Sequence, residues 1–309
     1  MARLIYACAS SHAFAVEDPS RWDADRLNNR RGYERRYGVL PPEPPQVAAE
    51  SDADLRERHA RIAAALDAIA RDLEARAPEA LVLVADDQNE QFVDSVLPQI
   101  AIYTGPDLVV GREPGVPTRS HPALAEAILE SCIAGDIDAA AVPRLSGDRL
   151  FAHAFGPVLR RIDPDARIPL VPIFVNAIHT PAPSPQRCFY LGRRIRAAID
   201  GCAAVDRVAI CGSGGLSHFT AGYPWKAYTG TYGHGEIDAD FDRWLVDRIT
   251  AGDVAALAGL SSADLLAHGE IELRSWIVTL GALGAAKPQR IVYEALYRGL
   301  MGMGVASWS

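Results

Sequence analysis

Three histidines stand just beyond strand-like apolar runs: His12 after residues 4–9, His153 downstream of residues 139–142 and Arg144, and His218 after residues 208–211. A further run, residues 81–85, leads into Asp86-Asp87-Gln88-Asn89-Glu90, and residues 170–175 lead into Asn176 and His179. Imidazoles and carboxylates brought together suit either a divalent metal or acid–base chemistry. Asp86, Gln88 and Glu90 share one face if the segment stays extended, because side chains alternate along a strand. They read either as a metal-binding edge or as a solvated turn. His218 follows Gly212-Ser213-Gly214-Gly215-Leu216-Ser217, whose glycines permit a tight turn and close approach to a ligand. Neither the P-loop spacing nor G-x-G-x-x-G is met, so the loop does not read as a phosphate cradle. Asp238, Asp240 and Asp242 precede Phe241, Trp244 and Leu245, and taken singly they fit helix N-terminal carboxylates favoured by the helix dipole. His59 falls on the apolar stripe of a helix and is assigned to packing, while His121, His234 and His268 have no evident partner in the sequence.

The runs that carry these residues alternate with helices. Ser51-Asp52-Ala53-Asp54 caps a helix whose buried stripe is Leu55, Ile62, Leu66, Ile69 and Leu73. Further helices are expected at residues 121–134, 157–162, 188–199, 240–250 and 271–284. Residues 81–85 are too uniformly apolar for a strand exposed on one side, as expected of a parallel sheet covered by helices. Residues 168–178 form a long strand whose prolines suggest an edge or a bend. Strands alternating with helices imply βαβ units, hence an α/β fold built on a mixed, largely parallel sheet flanked by helices. In an open sheet of that kind ligands bind outside the carboxyl ends of the strands, where the histidines lie. The simplest parse is one domain over residues 1–309, with lid-like segments at 18–50, arginine-rich and then proline-rich, and at 219–236, rich in glycine and aromatics.

Bulk composition excludes several classes. The chain has 309 residues, 49% apolar and 23% charged, with a net charge of −8 and no basic stretch interleaved with aromatics. Nucleic acid and anionic membranes are therefore not expected partners. Five scattered cysteines without a C-x-x-C pair suit a reducing compartment. The amino-terminal apolar stretch is too short for a signal peptide and is followed at once by Ser10-Ser11-His12. No run reaches the roughly 18–20 apolar residues needed to span a bilayer. A soluble cytoplasmic protein is the expectation.

Taken in order, SSH at residues 10–12, LVLVADDQ at 81–88, HAFGPVL at 153–159, VPIFVN at 171–176, PAPSPQRCFYLGRRIRAAI at 181–199, GSGGLSH at 212–218 and IDADFDRW at 237–244 resemble the LigB-type (class III) extradiol ring-cleavage dioxygenase family. The likeness runs through almost the whole chain, and its specificity lies in the ordered combination. It implies an oxidoreductase that opens a catechol-like ring with O2 on a non-haem metal, Fe(II) or else Mn(II). Two histidines and one carboxylate leave coordination positions open for both reactants. By resemblance His12 is the first metal ligand, His218 the acid–base group, and His153 a second histidine contacting substrate or intermediate. Ser217 joins them as a substrate contact. Lys226, among the aromatics of the 219–236 segment, is a candidate anchor for a substrate carboxylate.

Two departures from the family pattern matter. The family's second histidine ligand falls on Gln88, and its glutamate falls on Asp240. Glu90, on the same strand face as Gln88, would supply the missing donor. The expected metal set is therefore His12 and Asp240 with Glu90 or Gln88. Relatives in the family often assemble as homo-oligomers or with a helper subunit, which sets that expectation here. The competing readings are a non-catalytic LigB-like subunit or binding module, and a metal-dependent oxygenase acting on a substrate other than a catechol.

Overall fold

The computed structural model describes residues 2–12, 16–93, 96–111 and 115–309. Eleven strands are described: β1 (Arg3–Ser10), β2 (Ala80–Ala85), β3 (Ile100–Tyr103), β4 (Leu108–Val110), β5 (Val116–Thr118), β6 (Ala140–Val142), β7 (Arg149–Leu150), β8 (Leu170–Val175), β9 (Arg207–Ser213), β10 (Arg290–Leu296) and β11 (Met301–Trp308). The helices are α1 (Trp22–Tyr37), α2 (Pro45–Ala49), α3 (Asp52–Arg76), α4 (Pro122–Ile133), α5 (Gly156–Ile162), α6 (Pro185–Gly201), α7 (Ala239–Ala251), α8 (Val254–Ala258), α9 (Ser262–Ala267) and α10 (Leu273–Leu283). Eight strands form one sheet in the order β10-β11-β1-β9-β2-β8-β3-β6, and β5-β4-β7 form a small second sheet. β1, β9, β2 and β8 run parallel to one another, while β10–β11, β11–β1 and β8–β3 pair antiparallel. The mixed, largely parallel sheet expected from the sequence is the one observed.

Period-two alternation divides the core between two layers. Ala80, Val82 and Val84 of β2 pack with α4, α6 and α10 on one face. Leu81, Leu83 and Ala85 turn to the other, where the α3 stripe and α5 cover them. β2 is buried along its whole length because both of its faces carry helices. Ser51 caps α3 by accepting from the Asp54 N–H, and Leu55, Ile62, Leu66, Ile69 and Leu73 are buried as the spacing requires.

β8 is an interior strand, paired on both sides, not the edge its prolines suggested. Leu81 N donates to the Pro169 carbonyl, which sets odd-numbered residues of β8 to bond β2 and turns Pro172 toward β3. The pairing with β3 spans residues 173–175, so the missing N–H of Pro172 falls just past its end.

α6 and α10 pack through glycine. A Cβ on Gly192 would collide with the Val278 carbonyl, and one on Gly281 with the Phe189 carbonyl. Gly192→Ala is expected to lower stability by about 1–3 kcal/mol, the usual cost of forcing extra volume into a packed core. The shift in denaturant midpoint at constant m-value checks this.

Candidate metal centre and its cavity

Each functional side chain sits where an element ends. The turn after β1 carries His12, the carboxyl end of β2 carries Asp86, and the loop before α5 carries His153. β9 ends at Ser213 and leads through Gly214 and Gly215 to His218. Glu272 stands at the N-terminal end of α10, where the helix dipole favours a carboxylate. β1, β9 and β2 are adjacent parallel strands, so three of these ends lie side by side. Donor atoms of His12, Asp86, His153 and Glu272 all fall within 4.8 Å of one another. His12 and Glu272 are fully buried or nearly so.

Hydrogen bonds fix which nitrogen of each histidine faces the cluster. Ser213 Oγ gives its only proton to the Ala154 carbonyl (2.5 Å), so it accepts from the His12 Nδ1–H (3.2 Å). That leaves a lone pair on His12 Nε2. His153 Nδ1–H donates to Glu90 Oε2 (2.7 Å), and its backbone N–H donates to the same oxygen (2.7 Å). The two Nε2 atoms meet at 3.1 Å, and His12 Nε2 lies 3.3 Å from Glu272 Oε2. His12 Nε2 thus offers its lone pair across that contact, toward His153 Nε2. Burial holds His12 down at about 4, against the Glu272 charge. Burial also opposes the charge on His153, but the Glu90 hydrogen bond and the Asp86 and Glu90 charges lift it to about 10. Both rings and two carboxylates thus face a shared space that a positive charge, proton or metal ion, would stabilise.

Asp86 completes the pattern. Its carboxylate is buried, and neither oxygen has a hydrogen-bond partner. Burial, then the neighbouring Glu272 charge, push it up to about 8. A buried acid without partners is costly unless a cation or proton offsets it. Glu272 is better served. Oε1 accepts from Gln88 Nε2 (3.2 Å) and faces His218 Nε2 (3.2 Å), while Oε2 accepts from the Gly215 N–H (2.7 Å). Its carboxyl is held well below the ordinary range despite burial, by the charges of His12 and His218. His218 Nδ1–H donates to the Leu216 carbonyl (2.7 Å), leaving Nε2 toward the cavity. Burial opposes its charge, and Glu272 raises its affinity for a proton above the usual.

The three histidines and Glu272 open onto a cavity of about 430 Å³, a size suited to a small-molecule ligand. His12, Gln88, His153, His218 and Glu272 line it, with Pro157, Leu300 and Met301 as apolar surface. One wall is α1, and the other includes Thr220 and Gly222. Asn29 Oδ1 of α1 accepts from the Ala221 N–H (2.9 Å) and from His234 Nε2 (2.8 Å), and Arg36 donates to the Ala221 carbonyl (2.6 Å). The two segments read as lids are therefore tied together over the site.

The structure brings His12, His153 and His218 together as the sequence expected, but it alters several roles. Asp240 does not reach the cluster. Its side chain is 96% exposed and pairs with Arg243 at 2.6 Å, because Asp240 lies on the outer face of α7. Glu90 stands behind His153 as its hydrogen-bond partner, and Gln88 orients Glu272, so neither belongs to the four-donor group. Ser217 has no group free for a substrate: its Oγ donates to Asp242 Oδ2 (2.9 Å) and accepts from the Asp238 N–H (2.8 Å). Lys226 lines a different cavity with Arg36, Tyr37 and His179, because the chain turns outward after Tyr223. Phe219, Tyr223, Trp225, Tyr228 and Tyr232 pack against one another. His268 pairs with Asp238 (2.7 Å), and His121 caps α4 by accepting from the Leu124 N–H (3.2 Å).

Glu272 is the residue that the sequence reading missed. Its signal was there: two carboxylates, Glu270 and Glu272, at the head of an almost wholly apolar helix with no solvent-facing side to receive them. Asp86 lies on the strand face read from the sequence, beside the two residues that reading favoured.

The family description "Catalytic LigB subunit of aromatic ring-opening dioxygenase" matches residues 40–306. The chain belongs to the LigB family. At that level it is an aromatic ring-opening dioxygenase, an oxidoreductase, as the ordered motifs implied. Among LigB relatives, the 2,3-dihydroxyphenylpropionate/2,3-dihydroxicinnamic acid 1,2-dioxygenase of Burkholderia vietnamiensis (strain G4 / LMG 22486) is 27% identical over 266 residues, 71% of this chain and 81% of that protein. The gallate dioxygenase of Pseudomonas putida is 28% identical over 178 residues, 55% of this chain and 47% of that protein. The crystal structure of an uncharacterized protein from Escherichia coli K12 superposes with a TM-score of 0.52 at 15% identity, covering 99% of this chain and 100% of that one, a likeness of fold. No helix among the described residues is long and apolar enough to cross a membrane.

Proposed function

We propose that this LigB chain is an extradiol dioxygenase that opens a catechol ring beside its two hydroxyls. His12, His153 and Glu272 would hold the metal, with Asp86 as a fourth donor. The observation that carries this is that donor atoms of two imidazoles and two buried carboxylates lie within 4.8 Å of one another, with both oxygens of Asp86 unpartnered. Two imidazoles with carboxylates fit a first-row divalent cation, and Fe(II) is the one we assign, with Mn(II) as the substitute. When bound, Fe(II) supplies Lewis acidity and one-electron chemistry toward a catechol and O2.

The chain's own residues do the rest. Ser213 and Glu90 keep His12 and His153 turned with Nε2 inward, the arrangement that outer hydrogen bonds impose on metal-binding histidines. Gln88 and the Gly215 N–H orient Glu272. His218, held at Nδ1 by Leu216, presents Nε2 to accept a hydroxyl proton from the substrate and return it to the product. Pro157, Leu300 and Met301 offer apolar surface to the ring. The binding-module reading rested on Gln88 and Asp240 as failed ligands, and it loses that support once Glu272 and His153 present donors in their stead. The same proposal takes a catechol and O2 as reactants and a reducing cytoplasm as the setting, which the five buried free cysteines suit. It also takes assembly with a second copy or a helper subunit.

Anaerobic reconstitution with Fe(II), then separately with Mn(II), tests the assignment. About one metal per chain and stoichiometric O2 uptake with a catechol are expected. A chain that stays empty, or that fills and consumes no O2 with any catechol tried, overturns it.

A further inference from the structure

A second cavity, of about 490 Å³, shares Gly222 with the metal-centred one and no other described residue. Its charge is different. Glu17, Asp25 and Glu272 line the first cavity, whereas no aspartate or glutamate among the described residues lines the second. Arg36 and Lys226 stand there instead. Arg36 gives one N–H to the Ala221 carbonyl (2.6 Å) and pairs with no carboxylate among the described residues. Lys226 is exposed and makes no hydrogen bond or ion pair among them. Two cations without a counter-charge in one concavity, on a chain of net charge −8, concentrate positive potential where an anion can enter. The walls are fixed. The bond to Ala221 holds the Arg36 guanidinium, and Lys226 lies in a turn closed by the Ala227 N–H on the Pro224 carbonyl (2.9 Å). Trp225 Nε1 donates to the Thr220 carbonyl (2.8 Å), and its ring meets Tyr33 edge to face with centroids 5.5 Å apart. Leu97, Ile178, Tyr37 and Trp225 give the cavity apolar and aromatic surface beside the two cations.

We infer that this second cavity is a binding site for a small organic anion with a flat apolar body, separate from the metal centre. Arg36 and Lys226 hold the anionic group, and the aromatic and aliphatic wall takes the body. A guanidinium presents a planar donor fork that matches a carboxylate or a phosphate, and an ammonium adds a point charge to either. A cavity of this size, mostly apolar with a few placed polar groups, has the build of a small-molecule site. The anionic group belongs either to a carboxylate or to a phosphate ester. The site holds no metal donor from the four-residue cluster, so its occupation is independent of the chemistry assigned to the first cavity.

Calorimetric titration of the full chain under argon, with and without Fe(II), tests this. The ligands are 2-naphthoate, 2-naphthyl phosphate, the neutral 2-naphthalenemethanol and inorganic phosphate. The wild-type protein is expected to bind the two aryl anions at least about tenfold more tightly than the alcohol, the order expected of charge-assisted pairs, and equally well in both metal states. In Lys226→Gln that ratio falls toward one, and in Lys226→Arg, which keeps the charge, it is retained. Tighter binding of the aryl phosphate than of the carboxylate identifies a phosphate ester as the ligand class, and the reverse order a carboxylate. A wild-type ratio near one, or a ratio that survives Lys226→Gln, overturns the inference. So does selectivity that appears only with Fe(II), which would place the anion at the metal centre. Inorganic phosphate bound as tightly as the aryl phosphate would overturn the apolar part of the site. Lys226 is exposed and without a partner among the described residues, so an unchanged melting temperature is expected of both variants and serves as the folding control. Arg36→Gln should also lower the ratio, but it frees the Ala221 carbonyl, so the Lys226 variants decide.

Discussion

Glu272→Ala releases the metal and lowers kcat/KM by about 10³-fold or more, the scale of the several kcal/mol that a correctly held metal supplies to a transition state. Asp240→Ala leaves metal content and turnover as they were. The contrast decides between Asp240, the carboxylate chosen from the sequence, and Glu272, the one the sequence reading missed. Glu272 is buried with its oxygens divided among Gln88, Gly215, His12 and His218, whereas Asp240 is solvated and paired with Arg243. Glu272→Gln preserves the shape and removes the charge, so retained folding with lost metal separates ligation from packing. The readouts are metal per chain by mass spectrometry and the rise in melting temperature on adding Fe(II), since a ligand that binds only the folded state stabilises it. Full metal content in both Glu272 variants would remove this residue from the centre.

The site was legible in the sequence where strands were, and obscure where a helix face had to be chosen. His12, Asp86 and His218 follow uniformly apolar strands of a parallel sheet, so their gathering follows from topology alone. Among Asp238, Asp240 and Asp242 the sequence also held the answer. Residues two apart on a helix do not share a face. Asp242 aligns with Leu245 and Ile249 at i+3 and i+7, all three buried, while Asp240 aligns with Arg243 and Trp244. The buried Asp242 accepts from the Ser217 N–H, the Ser217 hydroxyl and the Tyr293 hydroxyl, so it holds the loop that carries His218. The strands β10 and β11 left little pattern. Glycines alternate through Met301-Gly302-Met303-Gly304 because a Cβ at Gly302 would run into Asp242 Oδ2, and one at Gly304 would press on Leu216 at 2.9 Å. Close approach of the His218 loop thus removes the side chains by which a strand is read. α1 has almost no apolar periodicity; Arg26 to Glu43 (2.9 Å) and Arg298 to Asp23 (2.8 Å) tie it down, and such pairs are invisible before folding.

His218→Ala should lower turnover by about 10²-fold or more while leaving the metal in place. The two effects separate because His218 is not one of the four converging donors, and Glu272 keeps its bonds from Gln88 and Gly215 when the imidazole is gone. A backbone carbonyl only accepts, so Nδ1 stays protonated on Leu216 and all proton traffic passes through Nε2. Wild-type turnover should therefore fall toward acid pH as Nε2 becomes protonated and stops accepting. Without the imidazole that limb of the profile should vanish, a change that a merely structural role for His218 would not produce. His218→Gln retains a hydrogen bond toward the cavity but cannot carry a proton, so it should resemble alanine in turnover and wild type in substrate affinity. Turnover within a few-fold of wild type in either variant, with the acid limb intact, would transfer the proton to another group. Asp86, buried beside the same cation point, would be the next to test.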